Sequence, residues 1–202
     1  MTILAIDTST LHGSVAVVAN GAVVFSEDFA ADRSHSATLF TILARAKAAA
    51  PKFERIAIGL GPGSYAGIRI SIAAAIGLEL ATGAKLVGAP SVAAWETGVL
   101  RYVATGDARR DTYYWTRVEE GVCVDGPRLL EREEWLRRLQ TEELPIFASE
   151  VLAGTERIRI AHPSAVRLAE LVGAGHGVQE GALEPIYLRE AQITRPKDQR
   201  SC

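Results

Sequence analysis

Ile3-Leu4-Ala5-Ile6-Asp7-Thr8-Ser9-Thr10-Leu11-His12-Gly13-Ser14-Val15-Ala16-Val17-Val18-Ala19-Asn20-Gly21-Ala22-Val23-Val24-Phe25-Ser26-Glu27-Asp28-Phe29 is the stretch whose reading decides the fold. It holds three runs rich in Val, Ile and Ala, at residues 3–7, 14–19 and 22–29, which read as strands because such side chains suit a pleated, half-buried surface. Asn20-Gly21 separates the last two, and this pair supplies the positive φ angles of a tight hairpin. Helical and strand-like segments then alternate. A polar break at Asp32-Arg33-Ser34 leads into a helix to about Ala50, with Ser34 or Ser36 as N-cap, Pro51 beyond its end and an apolar stripe of Leu39, Ile42, Leu43 and Ala46. Residues 56–60 read as a buried strand, Gly61-Pro62-Gly63-Ser64 as a tight loop, and Tyr65 to Thr82 as a second helix closed by Gly83. Residues 85–89 form a fifth strand, and Ser91 is read as the cap of a helix from Val92 to about Leu100. Three antiparallel strands followed by βα elements make one ribonuclease-H-like lobe.

Residues 102–105 and 112–118 read as strands of a second lobe, so a domain boundary is expected near residue 100: an N-terminal lobe at 1–100 and a smaller C-terminal lobe at 101–202. A helix at 131–140, short strands at 145–148 and 157–160, and a helix at 163–172 opening on Pro163 complete it. The tail after Thr194 is polar. No internal repeat or low-complexity tract is legible in the chain.

The composition excludes several functions. At 202 residues, 48% hydrophobic and net charge −2, the chain can bury a core but carries no basic field for gripping nucleic acid on its own. The first residues lack a basic n-region, so a cytoplasmic location is expected, and Arg69 and Glu79 interrupt the most apolar helix, which argues against a membrane span. Cys123 and Cys202 offer neither a disulfide framework nor a metal-binding pair. His12, His35, His162 and His176 contain no pair at helical spacing, so no metal is expected.

The glycine-dense run Gly59-Leu60-Gly61-Pro62-Gly63-Ser64-Tyr65-Ala66-Gly67-Ile68-Arg69 presents a strand, a turn and a helix start, an arrangement that suits a phosphate. Its spacing fails the Walker, dinucleotide and nucleophile-elbow patterns, and a structural turn is the alternative. Asp7-Thr8-Ser9-Thr10 stands where actin-like folds place a first phosphate loop. Such sites need a second loop in the other lobe, and neither Asp107-Ala108-Arg109 nor Asp125-Gly126 supplies it, so Asp7 and Thr8 are expected to mark a vestigial nucleotide site. Ser64 with His35 as its base lacks a third positioned group, and no catalytic residue is assigned. Asp107 and Asp111 are read as salt-bridge partners of Arg109 and Arg110. The helix from Tyr65 is apolar all round. It must bury one face on its own sheet and cover the other with something else, and together with the alanine-rich first helix it forms a small-residue platform.

Taken together, residues 3–9, Arg33-Ser34-His35-Ser36, the Gly61 to Arg69 run, Asp107-Ala108-Arg109 and Pro185-Ile186-Tyr187-Leu188-Arg189 resemble the TsaB (YeaZ) family. The resemblance implies a two-lobed actin-like ATPase fold (ASKHA, ribonuclease-H-like), α/β, each lobe a mixed sheet with helices. It implies a non-catalytic accessory subunit of the bacterial machinery that makes N6-threonylcarbamoyladenosine at position 37 of ANN-decoding tRNAs, with the catalytic subunit TsaD and the ATPase TsaE as partners, tRNA touched only through the complex, and no cofactor of its own. The related TsaD holds its metal with an H-x-x-x-H pair; here His35 is followed by Leu39 and preceded by Ala31. The resemblance further implies docking through the two N-terminal-lobe helices, with His35, Leu39, Ile42, Tyr65, Arg69, Ile72 and Ile76 as the expected interface, and self-association through the same helices. Two departures stand out: Tyr65-Ala66 where the family commonly has Phe-Thr, and a short C-terminal lobe. An actin-like ATPase or a peptidase acting alone is the competing expectation.

Overall fold

The opening strands form as their composition dictates. In the computed structural model, which describes residues 1–30, 35–152, 155–176 and 179–188, β1 (Thr2–Asp7) pairs antiparallel with β2 (His12–Ala19), and β2 with β3 (Ala22–Ala30). Asn20 (φ 51°) and Gly21 (φ 81°) turn the hairpin between them. The helix α1 (His35–Ala49) crosses to β4 (Arg55–Gly59), which lies parallel to β1, and α2 (Tyr65–Thr82) crosses to β5 (Lys85–Ala89), parallel to β4. Both ends of α2 are fixed locally: the Ser64 Oγ accepts from the Gly67 amide, and Gly83, at φ 72°, donates its N–H to the Glu79 carbonyl.

The second sheet repeats this plan. β6 (Arg101–Asp107), β7 (Thr112–Glu119) and β8 (Val122–Glu131) form an antiparallel meander, α3 (Arg132–Thr141) follows, and β9 (Ile146–Ala148) and β10 (Ile158–Ile160) add in parallel. The spatial order β10-β9-β6-β7-β8 matches β5-β4-β1-β2-β3 strand for strand. The chain is thus a structural duplication with no legible sequence repeat, because period-2 burial admits many sequences.

Burial alternates as a two-sided sheet requires. Leu4, Ile6, Val15 and Val17 face α1 and α2, meeting Leu39, Ile42, Leu43, Ile68 and Ile72. Ile3, Ala5, Ala16 and Val18 face the other way, against Leu168, Ala169 and Val172 of α4 (Ala165–Ala174). A third cluster joins Val103 and Trp115 to Trp135 and Leu139 of α3.

Three expectations need correction. The helix expected at 92–100 is only a 3-10 turn at Ser91–Ala94. Trp95 leaves it to bridge Pro163, the Glu96 amide donates to the His162 carbonyl at 3.0 Å, and Ser91 turns its hydroxyl to the Gly61 amide instead of capping. Pro163 accordingly precedes α4, whose N-cap is Ser164. The boundary near residue 100 separates the two sheets only as far as β10. α4 and β11 (Gln179–Glu180) return to the first sheet, β11 pairing with β5 and α4 packing on β1 and β2.

Candidate functional site

The loop after β1 is closed in on itself. Asp7 is wholly buried; its Oδ1 accepts from the Ser9 amide (2.9 Å) and hydroxyl (2.7 Å), while Oδ2 has no hydrogen-bond partner and lies against Gly59, beside Ser91. Burial outweighs these bonds and pushes the carboxyl above its ordinary range. The Thr8 hydroxyl is equally buried and pairs with Ser71 at 2.6 Å.

The glycine run packs on this loop. A side chain at Gly63 would lie 2.0 Å from the Ser9 carbonyl oxygen, and one at Gly67 would lie 2.2 Å from that of Thr8. The Ser64 amide donates to Ser9, the Gly67 amide to Ser64 Oγ, the Ile68 amide to the Ser64 carbonyl and the Gly61 amide to Ser91 Oγ. Four amides of the run, those of Gly61, Ser64, Gly67 and Ile68, are thus engaged inside the protein, which favours the structural reading of this turn over the phosphate reading. The Ser64 hydroxyl is likewise a cap.

A cleft of about 490 Å³ runs between the lobes, lined by residues 9–11, 62–65, 107–109, 149–150 and 185–188 with Ile68 and Tyr114. Asp7 and Thr8, expected at a vestigial nucleotide site, are not in its lining: the fold buries both beneath it. Asp107 pairs with Arg109 at 3.5 Å, as expected, whereas Asp111 meets Arg132 at 3.4 Å.

The second surface is the outer face of α1 and α2. Leu39, Ile42 and Ile72, expected at an interface, point into the core at 0%, 0% and 8% exposure and cannot meet a partner. They are the stripe that holds the helices to the sheet. Tyr65, Arg69 and Ile76 are exposed as expected. His35 begins α1; its side chain, together with Arg33, Ser34, Ser36 and Arg189, lies outside the described residues. The exposed face includes residues outside the expected interface set: Phe40 at 56% and Leu80 at 83% exposure, with Ala44, Ala48, Ala73 and Gly77 of the small-residue platform between them. The signal was present. Once the stripe at 39, 42, 43 and 46 is assigned to the core, positions 40, 44 and 48 must face outward. By length and composition α2 could cross a membrane, but Ile68, Ser71, Ile72 and Ala75 lock its inner face into the core.

Two duplicated α/β lobes flanking a cleft define a protein of the two-lobed actin-like kind. Residues 29–131, just over half of the chain, match the family model described as TsaD: tRNA N6-adenosine threonylcarbamoyltransferase. TsaB of Escherichia coli K12 is 33% identical over 135 residues, 60% of this chain and 58% of that protein. TsaB of Haemophilus influenzae is 26% identical over an alignment covering 94% of each. A crystal structure from Pseudomonas aeruginosa, described as similar to the peptidase YeaZ, superposes with a TM-score of 0.75 at 26% identity, covering 93% of this chain and 99% of that one. The chain belongs to the family that this model defines, and among its relatives are proteins named TsaB and YeaZ. Its match spans 58% of the length of the E. coli relative.

Proposed function

We propose that this chain is a non-catalytic accessory subunit of the complex that forms N6-threonylcarbamoyladenosine at position 37 of ANN-decoding tRNAs, supporting the catalytic subunit TsaD together with the ATPase TsaE. The observation that carries the reading is the outer face of α1 and α2: Phe40, Ala44, Ala73, Ile76, Gly77 and Leu80 form an apolar, small-residue surface that no described residue covers. We assign this face to the N-terminal lobe, residues 1–100, and the partner to a protein offering matching helices, TsaD. The names of the relatives support the pathway. Leu39, where an H-x-x-x-H metal pair would need its second histidine, is buried, which favours a supporting role. The protein acts in the cytoplasm and meets tRNA only as part of the assembly, and a second copy of the chain competes for the same face. In a reconstituted modification reaction, omission of this chain abolishes product, Leu80→Glu reproduces the loss, and Asp7→Asn does not. Product formed at an unchanged rate without the chain would overturn the proposal.

A further inference from the structure

Arg69 is the one charged side chain at the centre of the otherwise apolar outer face of α2. It forms no ion pair with any described residue. Instead its guanidinium stacks over the Tyr65 ring, 5.1 Å from the centroid, and donates to the Tyr65 hydroxyl. Tyr65 in turn packs on Tyr187, with ring centroids 5.5 Å apart at 40°. Tyr187 sits on a C-terminal strap tied to the first sheet through the Ile186 amide, which donates to the Leu60 carbonyl at 2.8 Å, and through Leu183 against Gly88. A flexible cation on a docking face is thereby held in one orientation from behind.

A protein that covers this face strips water from the guanidinium. Desolvating an unpaired charge is strongly unfavourable, and a carboxylate placed opposite offsets it. We infer, building on the docking proposed above, that Arg69 with Tyr65 and Tyr187 is the polar anchor of the face, and that its occupant is a protein whose apolar helix carries an Asp or Glu opposite Arg69. The guanidinium fork takes such a group in two parallel hydrogen bonds. Within α2 the only carboxylate is Glu79, half-buried on the flank of the same face. Self-pairing of α2 with α2 would match Arg69 with Glu79 of the second copy.

Affinity for TsaD from the same organism tests this by calorimetry with the full chain. Arg69→Glu weakens binding by roughly 100-fold and Arg69→Met by roughly 10-fold, and an Asp or Glu to Arg change on the partner's docking helix restores Arg69→Glu. The inference is overturned if Arg69→Glu is no worse than Arg69→Met while Ile76→Glu still abolishes binding, a result that leaves the docking itself standing. Loss of effect from Ile76→Glu would instead remove the docking. Restored self-association in an Arg69→Glu, Glu79→Arg double variant, with TsaD binding indifferent to both, would assign the anchor to a second copy and overturn the heterologous partner.

Discussion

Gly63 lies against the carbonyl of Ser9 so closely that a Cβ would sit 2.0 Å from the oxygen, and the next amide, that of Ser64, donates to the same atom. The glycine run that reads like a phosphate loop is the seat by which α2 docks on the first loop. Its glycines answer to backbone contact.

That contact separates two substitutions on one helix. Gly67→Ala places a methyl group 2.2 Å from the Thr8 carbonyl and lowers stability by about 2 kcal/mol through overpacking. Gly77→Ala meets nothing within 4 Å and raises it by about 1 kcal/mol through helix propensity. Urea denaturation measures both, and equal effects would contradict the seating. Because Gly77 is on the exposed face, its added methyl group also weakens docking.

The two sides of α1 and α2 are equally distinct. Leu39→Ala empties a fully buried site and costs about 2–5 kcal/mol. Ile76→Glu, at 44% exposure, changes the isolated chain by less than about 0.5 kcal/mol. Thermal unfolding of both variants checks the contrast.

Asp7 gives a pH signature. Its folded pKa is raised, chiefly by burial, so the folded state holds the proton more tightly than the unfolded one, and stability falls as pH rises from the ordinary value of 3.8 through the folded one. Asp7→Asn keeps the acceptor for Ser9 and removes the buried charge. It stabilises the protein by on the order of 1 kcal/mol at pH 7, and the gain shrinks as pH falls toward 4. A gain independent of pH would show that the carboxyl of Asp7 titrates alike in the folded and unfolded states, contradicting the raised value.

His12 and His162 stack at 4.5 Å where the chain returns to the first lobe. Burial and then the neighbouring His12 charge lower the His162 pKa, with Asp28 opposing. The stabilising contribution is therefore present above the unfolded value of 6.5 and is lost as pH falls below it. His12→Gln flattens this dependence in melts between pH 5 and 8. An unchanged slope would exclude the pair as its source.

Much of the fold was legible because local and global signals agree. The Val-rich runs at 3–29, the Asn20-Gly21 turn and the Ser64 to Gly83 helix all lie as read. What was missed has identifiable causes. β8 is not among the expected strands: Gly126-Pro127 breaks its pattern, and as an edge strand with register shifts opposite Arg117 it tolerates the proline. The helix expected after Ser91 is cut short by long-range bonds to His162 and Pro163 that no local pattern reveals. At the docking surface, the apolar pattern of α1 and α2 shows hydrophobicity without showing which side the sheet claims, and the sheet claims Leu39, Ile42 and Ile72.

Light scattering with size-exclusion chromatography, on this chain alone and mixed with TsaD from the same organism, tests the central claim most directly. The account predicts a new heteromeric peak that Leu80→Glu abolishes while leaving the isolated chain folded. A chain that elutes unchanged beside folded TsaD would contradict it.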